Sequence, residues 1–471
     1  MAENASPKSS PVPAGESRPY PPRYFWLKRL TATGFLLLIG IAGLRAWWGH
    51  VSQSRMDAYI ASVQARHEPI LPDDFNSPEI PAGDNAAVLY AKAANSLHFS
   101  RAESDFEPAD PYSPADVQFA AGMILAHAPE IQLIRAARDR HGVNWRNRRS
   151  AALLNTYNGA RRLAVLMKYV VACEHAQGDD AQAIADAQNL LLLGDRCLKV
   201  DPNDISLLVG EGMISMTNDL VMSIAPSLKI AADDKPKRAA AQSQIHALIG
   251  ELLDEDSFAR DSQRDWMGER MLIIKNERAS VNSEIHPQLL ADFLWPMFQL
   301  QALHAAISED DAAAACRQKN FQSALVSLAN VEAPANESIL TQSVREDHMN
   351  VTHHERVVSI GYEVTATRRV AAIMLAIRLY QARHDGRLPQ TLKELTPDYL
   401  PAIPLDPFSA ANLPLAYLPH HDPPLLYSVG LNGTDEHGSA RSARASSTWV
   451  WDGQDAVFPY RISAPSTQPA N

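Results

Sequence analysis

Cysteine is scarce in this chain: Cys173, Cys197 and Cys316 are the three among 471 residues. So sparse and odd a set is no disulfide framework, even for an oxidising compartment. Cys173 and Cys197 flank an expected helical hairpin at unequal distances from its bend at Gly178. At about 1.5 Å of rise per residue they stand too far apart to bridge, and they read as small buried hydrophobes. Basic excess is lacking too. A net charge of −11 excludes a broad basic surface, and with it nucleic acid as a partner. Also missing are HExxH, GxSxG, SxxK and any glycine-rich phosphate loop, glycine numbering only 21. The sequence names no reaction, and the chain is read as non-enzymatic.

What is present is a globular composition, 46% hydrophobic and 21% charged, over a length that implies roughly two or three folded units. The first feature is the uncharged run LTATGFLLLIGIAGL, Leu30 to Leu44. Tyr24, Phe25 and Trp26 precede it, and Trp47 and Trp48 follow beyond a snorkelling Arg45, so residues 24–48 read as a transmembrane anchor between two aromatic belts. Lys8, Arg18, Arg23, Lys28 and Arg29 lie before the span, against Arg45 and Arg55 after it. That asymmetry keeps the N-terminus in the cytoplasm. The expected location is a bacterial inner membrane, crossed once, with the body in the periplasm. A cleaved signal peptide is the alternative, against which stand the Pro-rich leader and the lack of a small-x-small cleavage site.

Residues 1–23, rich in Pro and Ser, read as a disordered cytoplasmic tail, and 49–84 as a juxtamembrane helix and a Pro- and Asp-rich linker that docks or wraps. Residues 85–355 form the expected helical body. Apolar residues from Leu153 to Val171 recur at helical spacing up to Gly178, which stops the helix; Asp179 and Asp180 open a second helix, and a third runs from Ile205 to Ile224. No fixed period repeats, so an irregular bundle is expected rather than a solenoid. The charges of ELLDEDSFARDSQRDWMGER read as a solvated helical face, and Trp145, Trp266 and Trp295 as core.

From Gly361 the texture changes. Val370, Ile373, Ile377 and Tyr380 mark one face of a long helix ending near Gly386, and Thr391 and Glu394 have capping-box spacing. Short strands follow at Leu415–Leu418, Leu425–Val429 and Ala456–Tyr460. The fold class expected is therefore mainly α: an N-terminal transmembrane helix, an irregular helical bundle, and over 356–463 a small α+β module in which a long helix lies on a short antiparallel sheet. Residues 464–471 read as a second disordered tail.

The order RLYQARHDGRLPQTLKEL, LPAIPLDPFS, LLYSVGLNGTDEHG and DAVF resembles the C-terminal half of the major pseudopilin of type II secretion, over roughly the last 110 residues. It is also similar to the ending of a group of uncharacterised bacterial membrane proteins with a helical body. The pseudopilin resemblance implies a calcium-binding loop, and by matching motif positions Ser428, Asn432 and Asp455 carry over as ligands, with Asp435 as a nearby oxygen donor. Asn432 stands where the family has Asp, and SARSARASSTWVWDGQ is inserted before Asp455. The competing reading is that these polar residues brace a loop. The chain is not itself a pilin, because a processed pilin carries glutamate at its fifth mature position, where this sequence has Ile39.

Outside that module, REDHMNVTHHE gathers Glu346, His348, His353, His354 and Glu355 without metal-ligand spacing and reads as a solvated helix end. His420 and His421 fall in a Pro-flanked, exposed turn. The leading expectation is a membrane-anchored extracytoplasmic interaction or scaffold protein with a protein partner in the envelope, offering an apolar groove free of convergent acids. The alternatives are a secretion or surface-assembly component using calcium, and an envelope hydrolase that brings His348 or His353 to body acids.

Overall fold

The computed structural model describes residues 23–461 apart from 77, 110–111, 146–149, 232–237, 285–287, 330–347 and 442–448. The N-terminal and C-terminal tails, the polar breaks at 233–237 and 334–336, Glu346 and residues 442–448 of the insertion lie outside the described residues. The molecule is mostly helical, with one long apolar N-terminal helix and a small C-terminal three-stranded antiparallel sheet, as the sequence leads one to expect.

Helix α1, Phe25–Ala65, runs without a break through the apolar segment and on to the body. Its two halves differ in environment. Leu30, Phe35, Leu36, Leu37 and Leu38 are each more than 60% exposed, whereas Ser52, Met56 and Val63 are buried. Among the described residues α1 alone is long and apolar enough to cross a membrane, which makes it a candidate membrane span or signal anchor. Its C-terminal half lies beside α11, Gln288–Ala315, and the two run in parallel. Arg45 Nη2 donates to the Asp292 carbonyl at 2.6 Å, Ser52 Oγ to Gln299 Oε1 at 2.7 Å, and Tyr59 Oη to the Ala306 carbonyl at 2.9 Å. Beyond them, buried Arg270 ion-pairs with Glu68 and Asp310, and Arg66 reaches both acids. Phe75, beneath the Arg264 guanidinium, closes the linker against the body, so the linker docks.

The first body helices are α2 (Ala86–Ser96), the single turn α3 (Arg101–Ser104), α4 (Pro114–Ala126) and α5 (Ala128–Ala137). They cover the antiparallel succession α6 (Ser150–Ala176), α7 (Asp180–Cys197) and α8 (Asp204–Ile224). Gly178 takes φ +74° to end α6, Asp179 accepts from the Gln182 amide, and Asn203 caps α8 by accepting from Ser206 N at 2.9 Å. Gly194 and Gly210 let α7 and α8 cross closely: a Cβ on Gly210 would stand 2.4 Å from Leu198 Cδ2. Helices α9 (Gln242–Leu252), α10 (Glu255–Glu284), α11 and α12 (Phe321–Ala329) complete the body, with a two-residue parallel pair β1 (Ile230–Ala231) and β2 (Ala240–Ala241).

Helix α13, His348–Arg383, starts well before Gly361 and threads from the body into the C-terminal region. Arg368, 1% exposed, spends its guanidinium on the last carbonyls of α9, Glu251 and Leu252, and on Asp195 Oδ1 at 3.2 Å. The sheet follows as β3 (Ala416–Leu418), β4 (Leu425–Ser428) and β5 (Ala456–Pro459), antiparallel throughout. One hydrophobic cluster runs from Tyr90 through Leu190 and Ile373 to Phe408, Leu426 and Tyr460, so body and sheet share a core and position 356 falls inside α13.

Two readings of polar segments need correction. The run 251–270 is a solvated face only in part: Asp254, Asp256 and Arg260 are exposed, but α10 is packed between α8 and α11 and buries Asp265, Trp266 and Arg270 at 0–1% exposure. His353 and Glu355 are exposed on α13, but His354 is 4% exposed, 3.1 Å from Glu309 Oε1 and 2.9 Å from Ser308 Oγ, with its ring edge-on to Trp266. Trp145 and Trp266 are core, and Trp295 is half-buried.

Candidate functional site

Ser428 is buried at the end of β4, where its hydroxyl donates to Asp406 Oδ1 at 2.7 Å and accepts from Gly430 N at 3.2 Å. Asp406, in the Asp-Pro-Phe turn, also accepts from the amides of Phe408 and Val429. Asp455, beside the start of β5, is fully buried and accepts from Glu436 N at 3.3 Å, Gly438 N at 2.8 Å and Ser439 N at 2.9 Å. Asn432 and Asp435 lie exposed on the loop between them: Asn432 accepts from Thr434 N and donates to Glu436, while Asp435 accepts from Tyr427 Oη and His437 N. These four residues therefore spend their hydrogen-bonding capacity on the protein itself, in the pattern of a braced loop. Among the described residues no group of three or more His, Cys, Asp and Glu stands where it could hold a metal.

The described histidines of the REDHMNVTHHE run do not converge on one acid either. His353 Nε2 lies 3.5 Å from Asp204 on α8 and His354 faces Glu309 on α11; the His348 side chain is outside the description, and His420 and His421 are exposed.

The structure assembles a site that the sequence does not announce. A cleft of about 520 Å³ opens between α8, α10, α13, the turn after α11 and the Leu405–Pro407 turn of the C-terminal region. Leu207, Phe258, Trp266 and Val357 give it apolar walls, and Arg317, Lys319 and Asp256 stand exposed at its rim. Arg369 bridges the mouth, gripping both oxygens of Glu255 at 2.6 and 2.5 Å and the Leu405 carbonyl at 2.6 Å. The joint beneath is fixed. Tyr362 Oη donates to the carbonyls of Ala315 and Gln318, Phe321 N donates to the Pro407 carbonyl at 2.8 Å, and Phe321 packs on Phe408.

At the floor lies Glu211, on α8, 1% exposed, its Oε2 without a hydrogen-bond partner. Burial, reinforced by the nearby Glu363 carboxylate, pushes its carboxyl well above the ordinary range. Other acids crowd the same region. Asp265 is fully buried with both carboxylate oxygens unpartnered, and burial raises it well above its usual value despite Arg264. Glu363 is pushed up to about 7 by burial, against the pull of Arg356, and the Cys316 thiol up to about 12 by burial beside Glu211. One signal for this site stood in the sequence: Glu211 is a lone glutamate inside an apolar helical run, and glutamate is almost never fully buried unless paired. Its neighbours on α10, α11 and α13 come from distant segments, which no spacing reveals.

No family model, no curated protein and no solved structure matches the chain.

Proposed function

We propose that this is a membrane-anchored extracytoplasmic interaction protein that holds a ligand in the cleft between its helical body and the Leu405–Pro407 turn of its C-terminal region. The observation that carries this reading is the cleft itself. It falls in the size range of binding pockets, about 300–1,000 Å³, and combines apolar walls with a few placed polar groups. An apolar groove free of acids is not what the structure offers; Glu211 at the floor and Glu255 and Asp256 at the mouth give the cleft specific chemistry.

The anchor supports the same reading. With the N-terminal positive charges retained in the cytoplasm of a bacterial inner membrane, α1 carries the body to the periplasmic side, and the Arg270–Glu68–Asp310 ion cluster fixes that helix to the body. Native mass spectrometry of the full chain extracted from membranes tests the cleft. A bound species is expected on the wild type and not on Ala259→Trp, which fills the cleft from α10. No adduct on the wild type, or the same adduct on both, removes the reading. A reporter enzyme fused after residue 67 is expected to be active only outside the cytosol.

A further inference from the structure

Glu211 is the group in the cleft whose chemistry is left open. Both its position and its bonding say so: it is 1% exposed, it lines the floor, and its Oε2 has no partner. A buried acceptor without a partner is costly, and native structures retain such groups where a ligand or a function uses them. Among the described residues the charge acting on Glu211 is the like charge of Glu363. Gly361 on α13 keeps the space beside the carboxyl clear, since a Cβ there would stand 3.1 Å from Glu211 Oε1.

We propose that the cleft binds a primary ammonium, or a related organic cation, carried on an apolar or aromatic stem, with Glu211 as its counter-ion; this rests on the cleft being a binding site at all. An ammonium brings three donors and no acceptor, which matches a floor that has acceptors to spare. Its bond to the carboxylate is charge-assisted and forms out of bulk water, where it is stronger than at the surface. Phe258, Trp266, Leu207 and Val357 receive the stem. A carboxylate head group meets the opposite conditions. Glu211 is the charged group at the floor, Arg369 at the mouth is already held by Glu255 and Leu405, and the other lining cations, Arg317 and Lys319, stand exposed at the rim.

Three probes of matched stem separate these chemistries: 2-phenylethylamine, 2-phenylethanol and 3-phenylpropionate, titrated calorimetrically into the full chain in detergent near neutral pH. The amine is expected to bind the wild type and to raise its melting temperature, with the alcohol at least about tenfold weaker and the acid without detectable heat. Glu211→Gln, which keeps the shape, is expected to melt as a folded protein and to weaken the amine by at least about tenfold, and Ala259→Trp to abolish it. Equal binding of amine and alcohol, or unchanged amine binding by Glu211→Gln, overturns the proposal. If the alcohol or the acid binds as tightly as the amine and Ala259→Trp removes it, the cleft is a binding site and only the ammonium assignment fails; if no species from membranes and no probe depends on the cleft, both fall.

Discussion

Two sets of buried carboxylates sit in one core and are treated in opposite ways. Near the sheet, Asp406 and Asp455 are 3% and 0% exposed, and each accepts two or three hydrogen bonds from backbone amides and the Ser428 hydroxyl. In the body, Glu211 and Asp265 are buried as deeply and have unpartnered oxygens. The difference is one of local backbone. A loop or tight turn points several N–H groups at one spot, so a carboxylate there completes the turn. A helix interior has spent its N–H groups on its own ladder and offers an inward-facing acid nothing. Burial of an acid is a brace in the first setting and an unfilled valence in the second.

The same chemical change should therefore have opposite signs in the two settings. Asp455→Asn replaces an acceptor of three amides with a group that cannot accept them all, and should cost about 3 kcal/mol or more by chemical denaturation. A stability unchanged within error would show that the loop does not need its brace.

The pH dependence comes next in size. Burial raises the Glu363 carboxyl from the ordinary 4.5 to about 7. A group raised on folding adds stability that is complete below its unfolded value and is lost as pH climbs through its folded one. Between about pH 4.5 and pH 7 Glu363 alone should thus withdraw roughly 3 kcal/mol, and Glu363→Gln should flatten the slope of a denaturation series over that window. Stability that rises across the window would reverse the sign of the argument.

Smaller and of the other sign, Glu211→Gln should stabilise the ligand-free protein above neutral pH, since burial raises the Glu211 carboxyl and the amide spares the fold from holding a proton on a group that ionises when unfolded. Destabilisation would mean that Glu211 has a partner after all. The smallest effect concerns calcium. With Asp455 and Ser428 committed to amides and to Asp406, added calcium should leave the melting midpoint where it is, and a rise reversed by chelation would restore Ser428, Asn432, Asp435 and Asp455 as ligands.

Much of the architecture was legible because its causes are local. The bend at Gly178 needs a residue tolerant of φ +74°, the caps at Asp179 and Asn203 satisfy amides three residues on, and a proline-rich turn separates the first two strands. The polar segments were less legible. Within 251–270 the charges of Arg260 and Asp256 face solvent while Asp265 and Arg270 are buried, because α11 covers one side of the helix and meets it only after the chain has turned back. His354 is hidden between two exposed neighbours for the same reason, α11 lying against its face of α13.

The sequence by itself determined the elements: an apolar helix flanked by aromatic belts, helices broken at glycine and capped by acids, a short sheet at the end. Periodicity, capping and turn chemistry act over a few residues, and a few residues carry them in full. Only the tertiary structure decided which carboxylates are braced and which are bare. That choice depends on what packs opposite each side chain, and Glu211 meets Glu363 and Gly361 across some 150 positions of chain.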